Sequence, residues 1–362
     1  MKNYSITLPS YTIGENAYGK IDEICRNYGN TIICIGGKTA ISKARKLIDE
    51  ALADSELTVL DYLWYGGESS YENVDLLINN ELVKQADMIF GIGGGKALDT
   101  AKAAAFKLNK PIFTFPTIAS NCAGTTAVSI MYNTDGSFKE PFFFPAPAKH
   151  CFICTSIIAK SPAKYIWAGM GDTYAKYFES EMSSRGEDLV HYHALGVTTS
   201  EMCLAPLLKY GKKALDDFKK GNVSYEVEQT ILSVVVTTGI ASNLLTAEHI
   251  IDYNTGLAHA VFYALTSFPH IEERHLHGEV VGYGVLILLL VDKNKEMFEK
   301  IYSFNKSIGL PSCLADIEMS TDDLEKLVPM VCAMKDIDHN PYKITEEMIS
   351  KAFIKLEKYK NN

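Results

Sequence analysis

Short β-branched runs alternate with amphipathic stretches along the first part of the chain. "TIICIGG" (Thr31 to Gly37) reads as a strand entering a turn, and "KTAISKARKLIDEALADS" as a helix ending near Ser55. "LTVLDYLWYGG" is a second strand and turn, and "YENVDLLINNELVKQA" a helix. "DMIFGIGGG", "KALDTAKAAAFKLN" and "KPIFTFPTIAS" then give strand, helix and strand. This alternation predicts parallel βαβ units. After about Ser161 the β signal fades. "SPAKYIWAGMGDTYAKYFESEMSSR" opens on Ser-Pro, and helical patterns continue almost to Asn362. The expectation is an α/β nucleotide-binding domain over 1–160 and an all-helical domain over 161–362, with a cleft between them.

A chain of 362 residues is too long for one ordinary core, which fits two domains. A net charge of -9 argues against a nucleic-acid or anionic-membrane partner. The opening "MKNYSITLPSYTIGENAYG" reads as short strands and turns rather than as a leader. The longest apolar run, "GVLILLLV", is far short of the roughly 20 residues that cross a bilayer. The expected setting is cytoplasmic, with a small-molecule substrate, no membrane and a homo-oligomeric assembly. Of eight cysteines only Cys151 and Cys154 form a C-x-x-C, within the β-like run "HCFIC". Residues three apart on a strand face opposite sides, so buried, reduced thiols are expected rather than a redox or zinc pair.

The glycines of "MIFGIGGGKALDTAKAAAF" demand an explanation. Gly91, Gly93, Gly94 and Gly95 end a strand and directly precede a helix. Bare backbone lets a ligand approach closely, and the helix start offers free N–H groups and its positive dipole end. A pyrophosphate suits that place. The spacing is neither G-x-G-x-x-G nor a P-loop, since Lys96 holds the sixth position. The "D-T-A-K" of Asp99 to Lys102 makes the stretch far more specific.

With those residues in view, the sequence resembles the group III, iron-containing alcohol dehydrogenase superfamily, in its glycerol dehydrogenase branch. "GIGGGKALDTAKA" resembles that family's phosphate turn. "FPTIASNCAGTTAVSIMYNTDGSF" resembles the segment beside the nicotinamide, "AGMGDTYAKYFE" the helix with the first metal ligand, and "GLAHAVFYAL" and "HLHGEVVGYGVL" the two histidine segments. The resemblance implies a dehydroquinate synthase-like, glycerol dehydrogenase-like fold and hydride transfer with NAD or NADP. It implies a divalent metal on Asp172, His259 and His277. It places Gly93, Gly94, Gly95, Lys96 and Asp99 at the phosphates, and Thr117, Ser120, Thr126, Val128 and Tyr132 along the nicotinamide and ribose. A carboxylate with two imidazoles suits such an ion, and three protein ligands leave positions open. His191, His193, His249, His270, His275 and His339 match no ligand position.

Three departures from the family pattern sharpen the reading. Iron enzymes of the superfamily often carry a histidine one turn after the aspartate; here that position is Lys176, which favours zinc over iron. The glycerol branch has a substrate-contacting aspartate where this chain has Cys122, after Asn121. A thiol is a poor acceptor for polyol hydroxyls, and losing the carboxylate suits an anionic substrate. This pattern, "GDT-x-AK" and the terminal "KITEEMISKAFIKLEKY" resemble the hydroxycarboxylate dehydrogenase A type, which reduces small 2-oxo acids. A nucleophilic role for Cys122 is disfavoured, because no histidine or acid is near it in sequence. Lastly, Gly37 stands where the branch has an aspartate that reads the adenosine ribose, and Lys38 follows, which admits NADP. The expected activity is thus interconversion of a small 2-hydroxy acid and its carbonyl form. A polyol dehydrogenase, an NAD-using carbocyclic lyase of the dehydroquinate synthase type and a non-catalytic nucleotide-binding protein are the rivals. No dedicated general base stands out, and a solvent relay is expected.

Overall fold

Strands β1 (Tyr11–Gly14), β2 (Thr31–Gly36), β3 (Thr58–Trp64), β4 (Met88–Gly93), β5 (Ile112–Pro116) and β8 (His150–Cys154) make one six-stranded sheet. The structure, a computed structural model, describes residues 3–359. The strand order is β1-β8-β5-β4-β2-β3, and every neighbouring pair is parallel. β4 is buried throughout its length, as expected of a central strand covered on both faces. Along β2, Ile32 and Cys34 pack into the core on one face while Ile33 and Ile35 pack into that on the other. The same alternation divides β8: Cys151 and Ile153 join the core of the helical half, and Phe152 and Cys154 join that of the sheet. The two thiols of the C-x-x-C therefore face opposite ways, and all eight cysteines are free.

The chain leaves β2 towards β3 on one side and returns to β4 on the other. Ligands of open α/β sheets bind at the carboxyl ends of strands where the order reverses in this way. Here that point brings together Gly36–Gly37 and Ile92–Gly93: the Gly37 N–H donates to the Ile92 carbonyl at 3.3 Å.

Among the described residues no strand follows Cys154, and the long helices begin with Lys164–Ser184 and His191–Phe218. His277–Val291 is apolar all round, and each residue from Gly278 to Val291 is buried, so it forms the axis of the helical core. None of the described helices is long and apolar enough to cross a membrane.

Two elements differ from expectation. The helix expected over Tyr71–Ala86 is broken into Tyr71–Ile78 and Glu81–Gln85. The Asn80 side chain accepts from the Leu82 and Val83 N–H groups and so starts a new helix. An antiparallel hairpin of β6 (Val128–Tyr132) and β7 (Phe138–Phe143) stands apart from the main sheet and was not foreseen.

Candidate metal centre and dinucleotide cleft

The Asp172 side chain projects from the Lys164–Ser184 helix, His259 from Leu257–Leu265 and His277 from the first position of His277–Val291. One donor atom from each lies within 4.8 Å of the other two. The Asp172 carboxylate is 3.3 Å from His277 Nε2 and 3.6 Å from His259 Nε2. The His259 side chain is 7% exposed and that of His277 43%, so the cluster is closed on the His259 side and exposed on the His277 side. Burial pushes the Asp172 carboxyl up, but hydrogen bonds and charge from His259 and His277 outweigh it and hold it well below the usual carboxylate range.

The sequence reading missed the residue behind His259. Glu179, fully buried and two turns beyond Asp172 on the same helix, lies 2.7 Å from His259 Nδ1. Its other oxygen accepts from the His259 and Gly256 N–H groups, both at 2.9 Å. Nδ1–H donates to this carboxylate, which turns Nε2 towards Asp172 and His277, where it would ligate an ion on giving up its proton. Desolvation lowers the His259 pKa, yet Glu179 and Asp172 carry it up to about 10. An imidazole so flanked is built to face a positive charge.

The glycine turn also has its explanation. Gly93 has φ +150°, and Gly94 starts the Gly95–Lys107 helix with no side chain capping it. A Cβ on Gly94 would lie 2.6 Å from Ile118 Cδ1, and one on Gly95 2.6 Å from Asn121 Nδ2. The bare backbone thus accommodates the loop that follows β5 and leaves the uncapped first-turn N–H groups for an anion. Lys96 reaches Glu68 at 2.6 Å and lies 4.8 Å over the Tyr132 ring. Asp99 turns inward: buried beside Lys102 at 3.0 Å, it accepts from the Ile130 N–H. Lys102 donates to the Val128 carbonyl and to both oxygens of Thr126. Thr117 is buried, and its N–H donates to the Gly93 carbonyl. Ser120 is half-buried against the Lys164–Ser184 helix, where a Cβ on Gly169 would be 3.2 Å from its Cα. Lys38 lies apart from this group at the end of β2, 4.4 Å over the Trp64 ring.

Cys122 is on the same loop. Burial, then Asp172, pushes its thiol up to about 12, which disfavours the thiolate that a nucleophile needs. The loop is bound to the helical half by side chains that the sequence did not single out. Asn243 donates to the Thr125 carbonyl at 2.9 Å and accepts from the Ala127 N–H at 2.7 Å. The Thr125 hydroxyl donates to the Val235 carbonyl within a π-helical turn, Ser233–Thr237, of the kind often found at functional sites. Within the helical half Phe262 packs against the His277 ring at 4.4 Å, while Tyr263 meets Phe138 of the hairpin at 6.1 Å.

Residues 9–153 match the family model of iron-containing alcohol dehydrogenases. The chain is 35% identical to the glycerol dehydrogenase of Thermotoga maritima over 304 residues, covering 82% of this chain and 81% of that one. It is 27% identical to hydroxycarboxylate dehydrogenase A of Escherichia coli K12, covering 91% and 90%. The solved glycerol dehydrogenase of Schizosaccharomyces pombe superposes with a TM-score of 0.87 at 23% identity, covering all of this chain and 92% of that one. The chain belongs to the iron-containing alcohol dehydrogenase superfamily, in its glycerol dehydrogenase branch, and is an NAD-dependent dehydrogenase acting on CH–OH groups.

Proposed function

We propose that this dehydrogenase uses a divalent ion at Asp172, His259 and His277 to interconvert a small 2-hydroxy acid and its 2-oxo acid. The convergence of one carboxylate and two imidazoles within 4.8 Å carries the reading. The donors fit such an ion: they are of the right chemistry, one imidazole is anchored by Glu179, and the His277 side is exposed. Lys176, one turn on, is an ammonium that cannot ligate, which favours zinc over a metal wanting a further nitrogen donor. When bound, the ion supplies Lewis-acid polarisation of the carbonyl or alcohol oxygen.

The chain's own residues do the rest. The Gly94–Gly95 helix start would receive the pyrophosphate, and the loop from Thr117 to Val128 would line the nicotinamide. Lys102 and Asn243 hold that loop by its carbonyls, and so would steady a nicotinamide lying along it. Cys122 presents a protonated thiol where a polyol-binding carboxylate would repel an anion. NADP is admitted beside NAD, because no carboxylate stands at Gly37 and the Lys38 ammonium is held above Trp64.

A second reading, oxidation of glycerol or another polyol, draws on the relatives named glycerol dehydrogenase. The deciding experiment offers zinc-loaded protein 2-oxobutyrate and 2-oxoglutarate with NADH and NADPH, and glycerol with NAD⁺ in the reverse direction. Turnover of an oxo acid without glycerol oxidation supports the hydroxy-acid reading. Glycerol oxidation alone rejects it.

A further inference from the structure

Two lysines are buried among the described residues, and their surroundings differ. Lys102 is 3% exposed and is neutralised by Asp99 at 3.0 Å. Lys176 is 6% exposed, yet among the described residues no carboxylate forms an ion pair with it. Its described partners are two neutral oxygens of one residue: the backbone carbonyl of Asn254, and Oδ1 of Asn254 at 2.7 Å. An ammonium has three donors, and a buried charge is costly unless paired. Asn254 engages the ammonium through neutral oxygens alone, and a donor without a partner among the described residues is left for an anion from outside.

Its position says which anion. Lys176 follows Asp172 by one turn of the same helix, and residues so spaced lie about 5–6 Å apart at Cβ. The Lys176 charge is felt at the Cys122 and Cys203 thiols, where that of Asp172 acts in the opposite sense. Asp172 and Lys176 thus stand on one face of one helix, with Cys122 near enough to feel both charges. A molecule with a carbonyl oxygen next to a carboxylate fits that spacing.

We infer that Lys176 is the seat of the substrate carboxylate: the 2-oxo acid directs its carbonyl oxygen to the Asp172–His259–His277 cluster and pairs its carboxylate with the Lys176 ammonium, alongside Cys122. This rests on the hydroxy-acid reading and gives it a specificity-determining residue. The contact positions substrate and leaves the chemistry of hydride transfer untouched.

The test compares 2-oxobutyrate with hydroxyacetone, a neutral ketone of similar size, in wild type, Lys176→Met and Lys176→Arg. It also measures oxamate, a non-reducible 2-oxo acid mimic, binding to the zinc- and NADH-loaded protein by calorimetry. Lys176→Met is expected to lower kcat/KM for 2-oxobutyrate on the order of 100-fold, chiefly through KM. Hydroxyacetone should change by less than about threefold, oxamate binding should vanish, and Lys176→Arg should restore part of it. An equal loss for the charged and neutral ketones, or undiminished oxamate binding by Lys176→Met, overturns the assignment. If Lys176→Met does not fold, Lys176→Gln takes the same comparison. Wild type that reduces hydroxyacetone but neither reduces 2-oxobutyrate nor binds oxamate overturns the hydroxy-acid reading itself. Wild type active on 2-oxobutyrate with an indifferent Lys176→Met overturns the lysine's role alone.

Discussion

Gly171 faces the backbone of Gly278 so closely that a Cβ on Gly171 would lie 2.1 Å from the Gly278 carbonyl oxygen. The two glycines immediately precede Asp172 and follow His277, so this approach is what brings those side chains to 3.3 Å. Gly171→Ala must push two helices apart at their tightest point. It is expected to cost roughly 2–4 kcal/mol of stability and to weaken zinc binding. Thermal unfolding and chelator competition check both. A variant with native zinc affinity would show that the helix approach does not set the triad.

Glu179 has no route to substrate, since it is fully buried behind His259. Glu179→Gln keeps the shape and removes the charge that holds the Nδ1–H. Zinc affinity should fall by about 10–100-fold, as is usual when such a partner is lost. NADH binding, read by fluorescence, should stay unchanged. An unaltered zinc affinity would reduce Glu179 to a packing residue.

At the far end of the cleft, Lys38→Ala removes the cation stacked on Trp64. The KM for NADPH is expected to rise about tenfold, in line with the loss of a charge-assisted contact to a phosphate. The KM for NADH should move little, and the NADPH effect should shrink at high salt. If the wild type does not use NADPH, or the variant loses both cofactors equally, Lys38 is a surface lysine and nothing more.

His150 predicts a pH dependence remote from the cleft. The ring is buried between the Ser10 hydroxyl at 2.7 Å and the Thr12 hydroxyl at 2.9 Å, and burial lowers its pKa to about 4. The folded state therefore favours the neutral ring. Its contribution to stability is complete above the unfolded pKa of about 6.5 and is lost as pH falls towards 4. The loss is at most about 3 kcal/mol over that window. His150→Gln should flatten the slope of chemical-denaturation stability between those limits. A slope identical to wild type would show that other groups carry the acid sensitivity.

The sequence disclosed some of this and concealed the rest, for physical reasons. The parallel sheet was legible because its strands are short, continuous apolar runs divided by amphipathic helices, as in "TIICIGG" and "DMIFGIGGG". The break at Asn80 was written in the chain as a capping residue and could have been read. The hairpin was hidden because Pro141 interrupts its second strand and its side chains do not alternate cleanly. Asp172, His259 and His277 were found through family resemblance, since residues 105 positions apart carry no spacing signal. Glu179 had a faint one, as a carboxylate seven residues after Asp172 on the same helical face. The isolation of Lys176 was invisible, because a missing counterion is a property of neighbours that only folding assembles.

The bonds of Asn243 with Thr125 and Ala127, and of Thr125 with Val235, stitch the floor of the cleft. The same loop packs over Gly94 and Gly95 on its other side. At the mouth the closure is weaker: Phe138 merely leans on Tyr263. A loop tied on both sides in this way is expected to be the pivot of any opening between the sheet and the helices. Ligands would then enter and leave at the hairpin side, with the segment that carries Cys122 as the fixed edge.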